Sequence, residues 1–172
     1  MLAATRIMQD VVAAAHRHPP HGRGTVGMVQ VFPNSRNVIP GRVKFSIDLR
    51  NSTDALVDAM AAEVKAFADQ VAQEHGVQVH IEMVSSYPAQ LFQPECVEAV
   101  GRAAAKLGYS HMPAVSGAGH DAVYMAKLAP SGMIFIPCKD GISHNEIEDA
   151  KPEHIEAGCN VLLHAMLERA GT

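Results

Sequence analysis

The chain has 172 residues, 48% of them hydrophobic and 19% charged, with a formal net charge of −4. This length accommodates one ordinary domain or two small ones. The charge gives no reason to expect nucleic acid as a partner, and no run of about 18 apolar residues predicts a membrane span. The three cysteines are odd in number and widely spaced, which argues against a disulfide framework and favours the reducing cytoplasm.

Hydrophobic spacing predicts five elements in the first half of the chain. In order they are a helix at 1–16, strands at 24–33 and 42–50, a helix at 54–75 and a strand at 77–84. The strand at 42–50 has the clearest pattern, because apolar residues from Val43 to Leu49 alternate with polar ones. This order lacks only the first strand of a split βαβ sandwich. We therefore expect an α+β domain of that type, and a longer protein of which this chain is the C-terminal portion.

The second half is richer in helix than in sheet. A change in composition places a domain boundary between residues 87 and 88. The elements predicted beyond it are a helix from Pro94, a short helix at 121–128, strands at 132–137 and near 112–115, and a helix from Pro152. This amount of sheet is too small to cover three helices. Residues 88–172 are therefore expected to be part of a larger α/β domain.

Two loops in this half place small residues around a histidine. His144 lies in the loop sequence DGISHNEIE at 140–148. A neutral imidazole on such a loop is a good zinc ligand, and Glu148 lies near enough in sequence to orient it. One ligand is not a site, however, and a loop histidine capped by its neighbours is the alternative.

The other histidine loop has the sequence SGAGHDA at 116–122 and contains Gly119 and His120. It precedes the predicted short helix, and free N–H groups at a helix start favour an anion or an oxygen that gains charge. Alternatively, Asp121 caps the helix and His120 is a packed polar residue.

Polar residues in the first half also include candidates for binding. Arg50 ends the alternating strand on its polar face, where its guanidinium could bind a carboxylate with two hydrogen bonds. A salt bridge with Asp48 or contact with solvent is the alternative. His16, His18 and His21 could bind a metal loosely, but a polar loop is favoured because Pro19 and Pro20 break the helix there.

Taken together, five segments resemble one family of metal-dependent amidohydrolases, in the family's order. The segments are Gly24–Gly27, Pro33–Gly41, Asp48–Arg50, Ser116–Ala122 and Gly141–Asn145. The family includes N-carbamoyl-L-amino-acid hydrolase, allantoate amidohydrolase and β-ureidopropionase. The resemblance implies that residues 1–87 form most of a lid or dimerisation domain. It implies that residues 88–172 form the C-terminal part of a metallopeptidase-like α/β catalytic domain.

The resemblance also implies roles for particular residues. His144 would be a ligand of a binuclear zinc or manganese centre, Asn37 and Arg50 would hold the substrate carboxylate, and Gly119 and His120 would contact the substrate. The family's other metal ligands and its general-base glutamate come from sequence before the lid. The partners implied are a small ureido or carbamoyl acid and a second copy of the chain, bound through the lid.

We therefore expect part of a metal-dependent amidohydrolase that hydrolyses a C–N bond of an N-carbamoyl amino acid or a related ureido acid. The isolated chain is expected to be inactive. One alternative is a non-catalytic dimerisation or binding module, or a decayed fragment, of the same family. The other is a related metallopeptidase with the same two-domain plan.

Overall fold

A computed structural model of the protein describes residues 1–171, which form two compact units. Unit 1 comprises residues 1–89 and 115–117, and unit 2 comprises residues 90–114 and 118–171. The assignment of residues 1–87 to a lid and 88–172 to a catalytic domain stays a prediction. None of the helices in the described part of the chain is both long and apolar enough to cross a membrane.

Unit 1 contains two long helices that lie where they were predicted. Helix α1 spans Leu2–Arg17 and helix α2 spans Asp54–His75. The hydroxyl of Thr53 accepts a hydrogen bond from the N–H of Leu56 at 3.4 Å, and α2 ends at Gly76 with φ of 60°. Both caps are local features of the sequence, which is why the bounds of α2 were predictable.

The two strands predicted between these helices are each divided in two. They comprise β1 (Arg23–Thr25), β2 (Val29–Phe32), β3 (Arg42–Phe45) and β4 (Asp48–Arg50). Strand β1 pairs with β4 and β2 pairs with β3, both antiparallel. Thr25 lies opposite Asp48 and Val29 opposite Phe45, so residues 26–28 face only residues 46–47. This extra residue is a β-bulge in one long hairpin.

The bulge is held by Met28 and Ser46. The N–H of Ser46 donates to the carbonyl of Met28 at 3.1 Å, and the N–H of Met28 donates to the Ser46 hydroxyl at 3.1 Å. The extra residue lies between β1 and β2, so the alternation of side chains from β3 to β4 is uninterrupted. The apolar side chains of β3 and β4 are half-buried, as predicted. Phe45, Ile47 and Leu49 pack against buried residues of α1 and α2.

The segment predicted as a strand at 77–84 is not one. Among the described residues no strand pairs with it, although Val79 packs against the buried residues Ile7, Ala68 and Val71. A strand is defined by hydrogen bonds to a neighbour, and alternation alone does not provide one. His80, in this segment, is exposed.

Unit 2 is built from two packed helices and extended segments. Helix α3 spans Pro94–Lys106, the short α4 spans Ala122–Met125, and α5 spans Pro152–Ala170. The small residues of α3 pack against α5 in a buried cluster of Ala99, Ala103, Ala104, Val161 and Ala165.

The strands predicted at 132–137 and near 112–115 are absent from the described part of unit 2. Ile134 and Ile136 are half-buried and Phe135 is exposed, so the side chains alternate as predicted, but no neighbouring strand completes a ladder. The prediction of helices with a sheet is confirmed at the level of α/β composition. The sheet in the described residues is limited to the antiparallel hairpin of unit 1.

Candidate functional site

Arg50, at the end of β4, is fixed on one side by a carboxylate. Its Nε donates to Oδ1 of Asp48 at 2.7 Å, and its Nη2 donates to Oδ2 at 3.0 Å. Its Nη1 donates to the carbonyl oxygen of Gly117 at 2.7 Å, and half of the Arg50 side chain is exposed. The hydrogen bonds between the two side chains hold the pKa of Asp48 below its usual value and the pKa of Arg50 above its own. Both groups are therefore charged at neutral pH.

Asn37 lies at the opposite end of the same hairpin. It belongs to the exposed connection between β2 and β3, where its Oδ1 accepts a hydrogen bond from the Ser35 hydroxyl at 3.0 Å. Arg50 lies at the open end, opposite Arg23. At roughly 3.3 Å per residue, the strand from Arg42 to Arg50 is about 25 Å long. Within one chain, the hairpin therefore does not bring these two predicted carboxylate-binding residues together.

His120 caps helix α4 with its own ring. The Nδ1 atom of His120 accepts a hydrogen bond from the N–H of Ala122 at 3.0 Å, so a neutral ring carries its proton on Nε2. Asp121 makes no side-chain cap, contrary to the alternative considered from the sequence. His120 and Gly119 are both exposed, and a Cβ added at Gly119 would meet nothing within 4 Å.

His144 lies in a loop that a carboxylate holds in shape. Its φ of 55° is in the left-handed region, and its backbone N–H donates to Oε2 of Glu148 at 2.8 Å. The other oxygen, Oε1 of Glu148, lies 3.9 Å from Sγ of Cys138. Glu148 thus contacts the backbone of His144. To orient the ring, as expected from the sequence, it would have to contact the imidazole instead. The His144 Nδ1 lies 3.3 Å from the Ser143 hydroxyl.

The described residues do not form a metal centre by themselves. Over residues 1–171, nowhere do three or more His, Cys, Asp or Glu side chains come together as a metal site requires. His144 is exposed and could serve as one ligand, but one imidazole does not hold a zinc or manganese ion. The donor set of residues 1–171 therefore does not by itself fit the binuclear centre that the sequence resemblance implies.

A second charged cluster joins the two helices of unit 1, and sequence reasoning missed it. Nε2 of His18 lies 2.7 Å from Oε1 of Glu63, and Nε of Arg17 donates to Oε2 of Glu63 at 2.9 Å. The hydrogen bonds from His18 and Arg17 hold the pKa of Glu63 below its usual value. Arg17 also bonds the buried Asp10. His18 therefore belongs to a contact between α1 and α2 rather than to a metal site.

Comparison with known proteins places this arrangement in a family. The model of the peptidase family M20/M25/M40 matches residues 3–168. An N-carbamoyl-L-amino-acid amidohydrolase from Rhizobium meliloti is 47% identical over 169 residues, which are 98% of this chain and 41% of that protein. An allantoate amidohydrolase from Bacillus subtilis is 28% identical over 99% of this chain and 41% of its own length.

A solved structure of the same kind of protein also matches the chain. A hydantoinase/carbamoylase family amidase from Burkholderia multivorans superposes with a TM-score of 0.93 at 52% identity. The match covers 98% of this chain and 41% of that chain. The chain thus spans about two fifths of the length of the relatives it matches.

Both named relatives are amidohydrolases, and the family model describes a class of hydrolases. The chain belongs to the peptidase family M20/M25/M40 and is similar to its N-carbamoyl-amino-acid and allantoate amidohydrolases. The family predicted from the five segments is confirmed.

Proposed function

We propose that these residues form the lid and the C-terminal catalytic part of an amidohydrolase that cleaves a C–N bond of an N-carbamoyl amino acid or related ureido acid. The observation that carries this proposal is the 47% identity, over 98% of the chain, to a protein named N-carbamoyl-L-amino-acid amidohydrolase. We also propose the cytoplasm as its location, which the free state of Cys96, Cys138 and Cys159 supports.

The substrate carboxylate is assigned to Arg50. Its guanidinium is exposed, is charged at neutral pH and has planar donors that match a carboxylate. Water screens this charge less inside a closed site than on an open surface, so enclosure strengthens the interaction. Gly119 and His120 are exposed on a loop of small residues and are assigned contacts with the rest of the substrate.

A site that uses both Asn37 and Arg50 requires two copies of the chain. The two residues lie at opposite ends of one hairpin, so one carboxylate meets both only if each comes from a different subunit. A two-fold axis through the lid would create two such sites, because each subunit supplies one residue to each. We therefore propose a homodimer formed through unit 1.

The M20 amidohydrolase family is generally metal-dependent. His144 is proposed as one ligand of a zinc or manganese ion whose remaining ligands are not among residues 1–171. Because those ligands are needed, the 172 residues alone are proposed to be inactive.

Assay of the purified chain tests this proposal. Hydrolysis of N-carbamoyl-L-alanine is followed by release of the free amino acid, with zinc or manganese added. The proposal predicts no turnover above that of the His144→Ala variant. Turnover by the unmodified chain that His144→Ala abolishes would show that the chain has a complete site and would refute the proposed division.

A further inference from the structure

We propose that Asp48 is a positioning residue that presents Arg50 to the substrate carboxylate. This inference rests on the proposed function, in which Arg50 binds that carboxylate. The two residues are separated only by Leu49, whose side chain points into the core. Asp48 and Arg50 therefore lie on the same, outer face of β4 and meet there.

The hydrogen bonds of Arg50 leave a specific pair of donors. A guanidinium has five N–H groups. Asp48 takes one from Nε and one from Nη2, and the Gly117 carbonyl takes one from Nη1. These three bonds use one hydrogen of each terminal nitrogen, and we assign the second hydrogen of each to the substrate carboxylate. Two N–H groups on neighbouring nitrogens match the two oxygens of a carboxylate.

Asp48 also decides how much freedom Arg50 retains. The Arg50 side chain is half exposed, and a free arginine of that exposure would occupy several rotamers. Two bonds from one carboxylate fix the plane of the guanidinium as well as its position, whereas one bond would leave it free to rotate. Ligand binding to a side chain that is already ordered loses less entropy.

The negative charge of Asp48 opposes this benefit, because it repels a second carboxylate. Both side chains are about half exposed, at 50% and 51%, so water and salt screen the repulsion. We therefore expect the ordering effect to exceed the repulsion. Removal of the Asp48 carboxylate is therefore expected to weaken binding of the substrate carboxylate to Arg50.

Arginine side-chain NMR of the whole 172-residue chain tests the proposal with N-carbamoyl-L-alanine as the probe. Its carboxamide, which lacks the charge, is the matched ligand. In the unmodified chain the Nε–H signal of Arg50 is expected to shift with the carboxylate and not with the carboxamide. The signal of Arg102 is a matched reference, because its Nε and Nη2 donate to Glu168 and its Nη1 to Glu98, which is the same pattern of bonds as at Arg50. A shift at Arg50 without one at Arg102 would show that binding depends on the site and not on an exposed, carboxylate-bonded arginine alone.

For the variant Asp48→Asn, we expect the dissociation constant of the carboxylate to rise at least five-fold. The backbone spectrum of β1 and β4 should be unchanged, and Asp48→Glu should restore part of the affinity. An equal or lower dissociation constant in Asp48→Asn would overturn the positioning role and indicate that Asp48 competes with the ligand.

The Arg50→Ala variant separates this claim from the proposed function. If the probe binds Arg50→Ala as well as it binds the unmodified chain, Arg50 is not the carboxylate site and both assignments fail. If Arg50→Ala loses binding while Asp48→Asn retains it, only the role of Asp48 fails. A spectrum of Asp48→Asn that changes throughout unit 1 would show that Asp48 supports the fold instead, and would also overturn its specific role.

Discussion

Two of the residues assigned to function are held by carboxylates, in different ways. Asp48 bonds the guanidinium of Arg50, whereas Glu148 bonds the backbone of His144. The residue types at these positions were apparent from the sequence. Asp48 was also considered from the sequence as a partner of Arg50, and that alternative is observed. The contact with Gly117 and the left-handed backbone of His144 were not predicted, because Gly117 is distant from Arg50 in sequence and the backbone conformation follows from loop geometry.

At His144, loss of the Glu148 carboxylate should release the left-handed backbone. A non-glycine residue with positive φ is disfavoured unless its surroundings hold it. We expect Glu148→Ala to weaken the strong intraresidue NOE between the amide and α protons of His144 that a positive φ produces. Glu146→Ala, in the same loop, is the control and should leave that NOE unchanged. A full NOE in Glu148→Ala would show that the loop holds His144 without Glu148.

At the scale of elements, the helices were more predictable than the strands. Helices α1, α2, α3 and α5 form where hydrophobic spacing and capping residues indicate, because their hydrogen bonds are local. The segments at 77–84 and 132–137 alternate as strands do, but a strand depends on a neighbour elsewhere in the chain. The bulge at residues 26–28 could not be predicted from the sequence for the same reason, since it depends on the register between two paired strands.

The contact between α1 and β1 depends on the absence of a side chain at Gly24. A Cβ at this position would lie 2.2 Å from the carbonyl oxygen of Val11, which is backbone and cannot rotate away. We expect Gly24→Ala to lower the free energy of unfolding by about 1–3 kcal/mol, the usual cost of overpacking. Urea unfolding followed by circular dichroism measures this.

Gly41→Ala is the matched control for that experiment, because a Cβ there would meet nothing within 4 Å. It should change the free energy of unfolding by less than about 0.5 kcal/mol, as surface substitutions usually do. Equal stability of Gly24→Ala and the unmodified chain would contradict the close packing of α1 on β1.

The ion pairs between α1 and α2 predict how stability depends on pH. The pKa of Glu63 is lowered in the folded state, so its contribution is present above the unfolded pKa and is lost as pH falls through the folded pKa. We expect the melting temperature of unit 1 to exceed that of Glu63→Gln at pH 7, with the difference vanishing in acid. Glu82→Gln, an exposed change outside this cluster, should show no such pH-dependent difference.

At the scale of the whole molecule, unit 1 contains Arg50, the residue proposed to bind the substrate carboxylate, and unit 2 contains His144, the proposed metal ligand. The family was recognisable from five short segments in order. The separation of Asn37 from Arg50 along the hairpin was not, because it depends on the strand pairing.

This separation predicts that complementary variants rescue each other once activity has been reconstituted. Asn37→Ala and Arg50→Ala should each be nearly inactive alone. In a mixture of equal amounts with subunit exchange, half of the dimers are mixed and each has one intact site, so activity should reach about one quarter of the unmodified level. A mixture no more active than its components would place both residues in one subunit.

The most direct test of the account is reconstitution. The 172-residue chain is mixed, with zinc or manganese, with the part of the Rhizobium meliloti relative that this chain does not match. Hydrolysis of N-carbamoyl-L-alanine is then measured. The account predicts no turnover by either piece alone, turnover by the mixture, and loss of that turnover in His144→Ala. Turnover by the 172 residues alone, or a mixture with His144→Ala as active as the unmodified one, would contradict it.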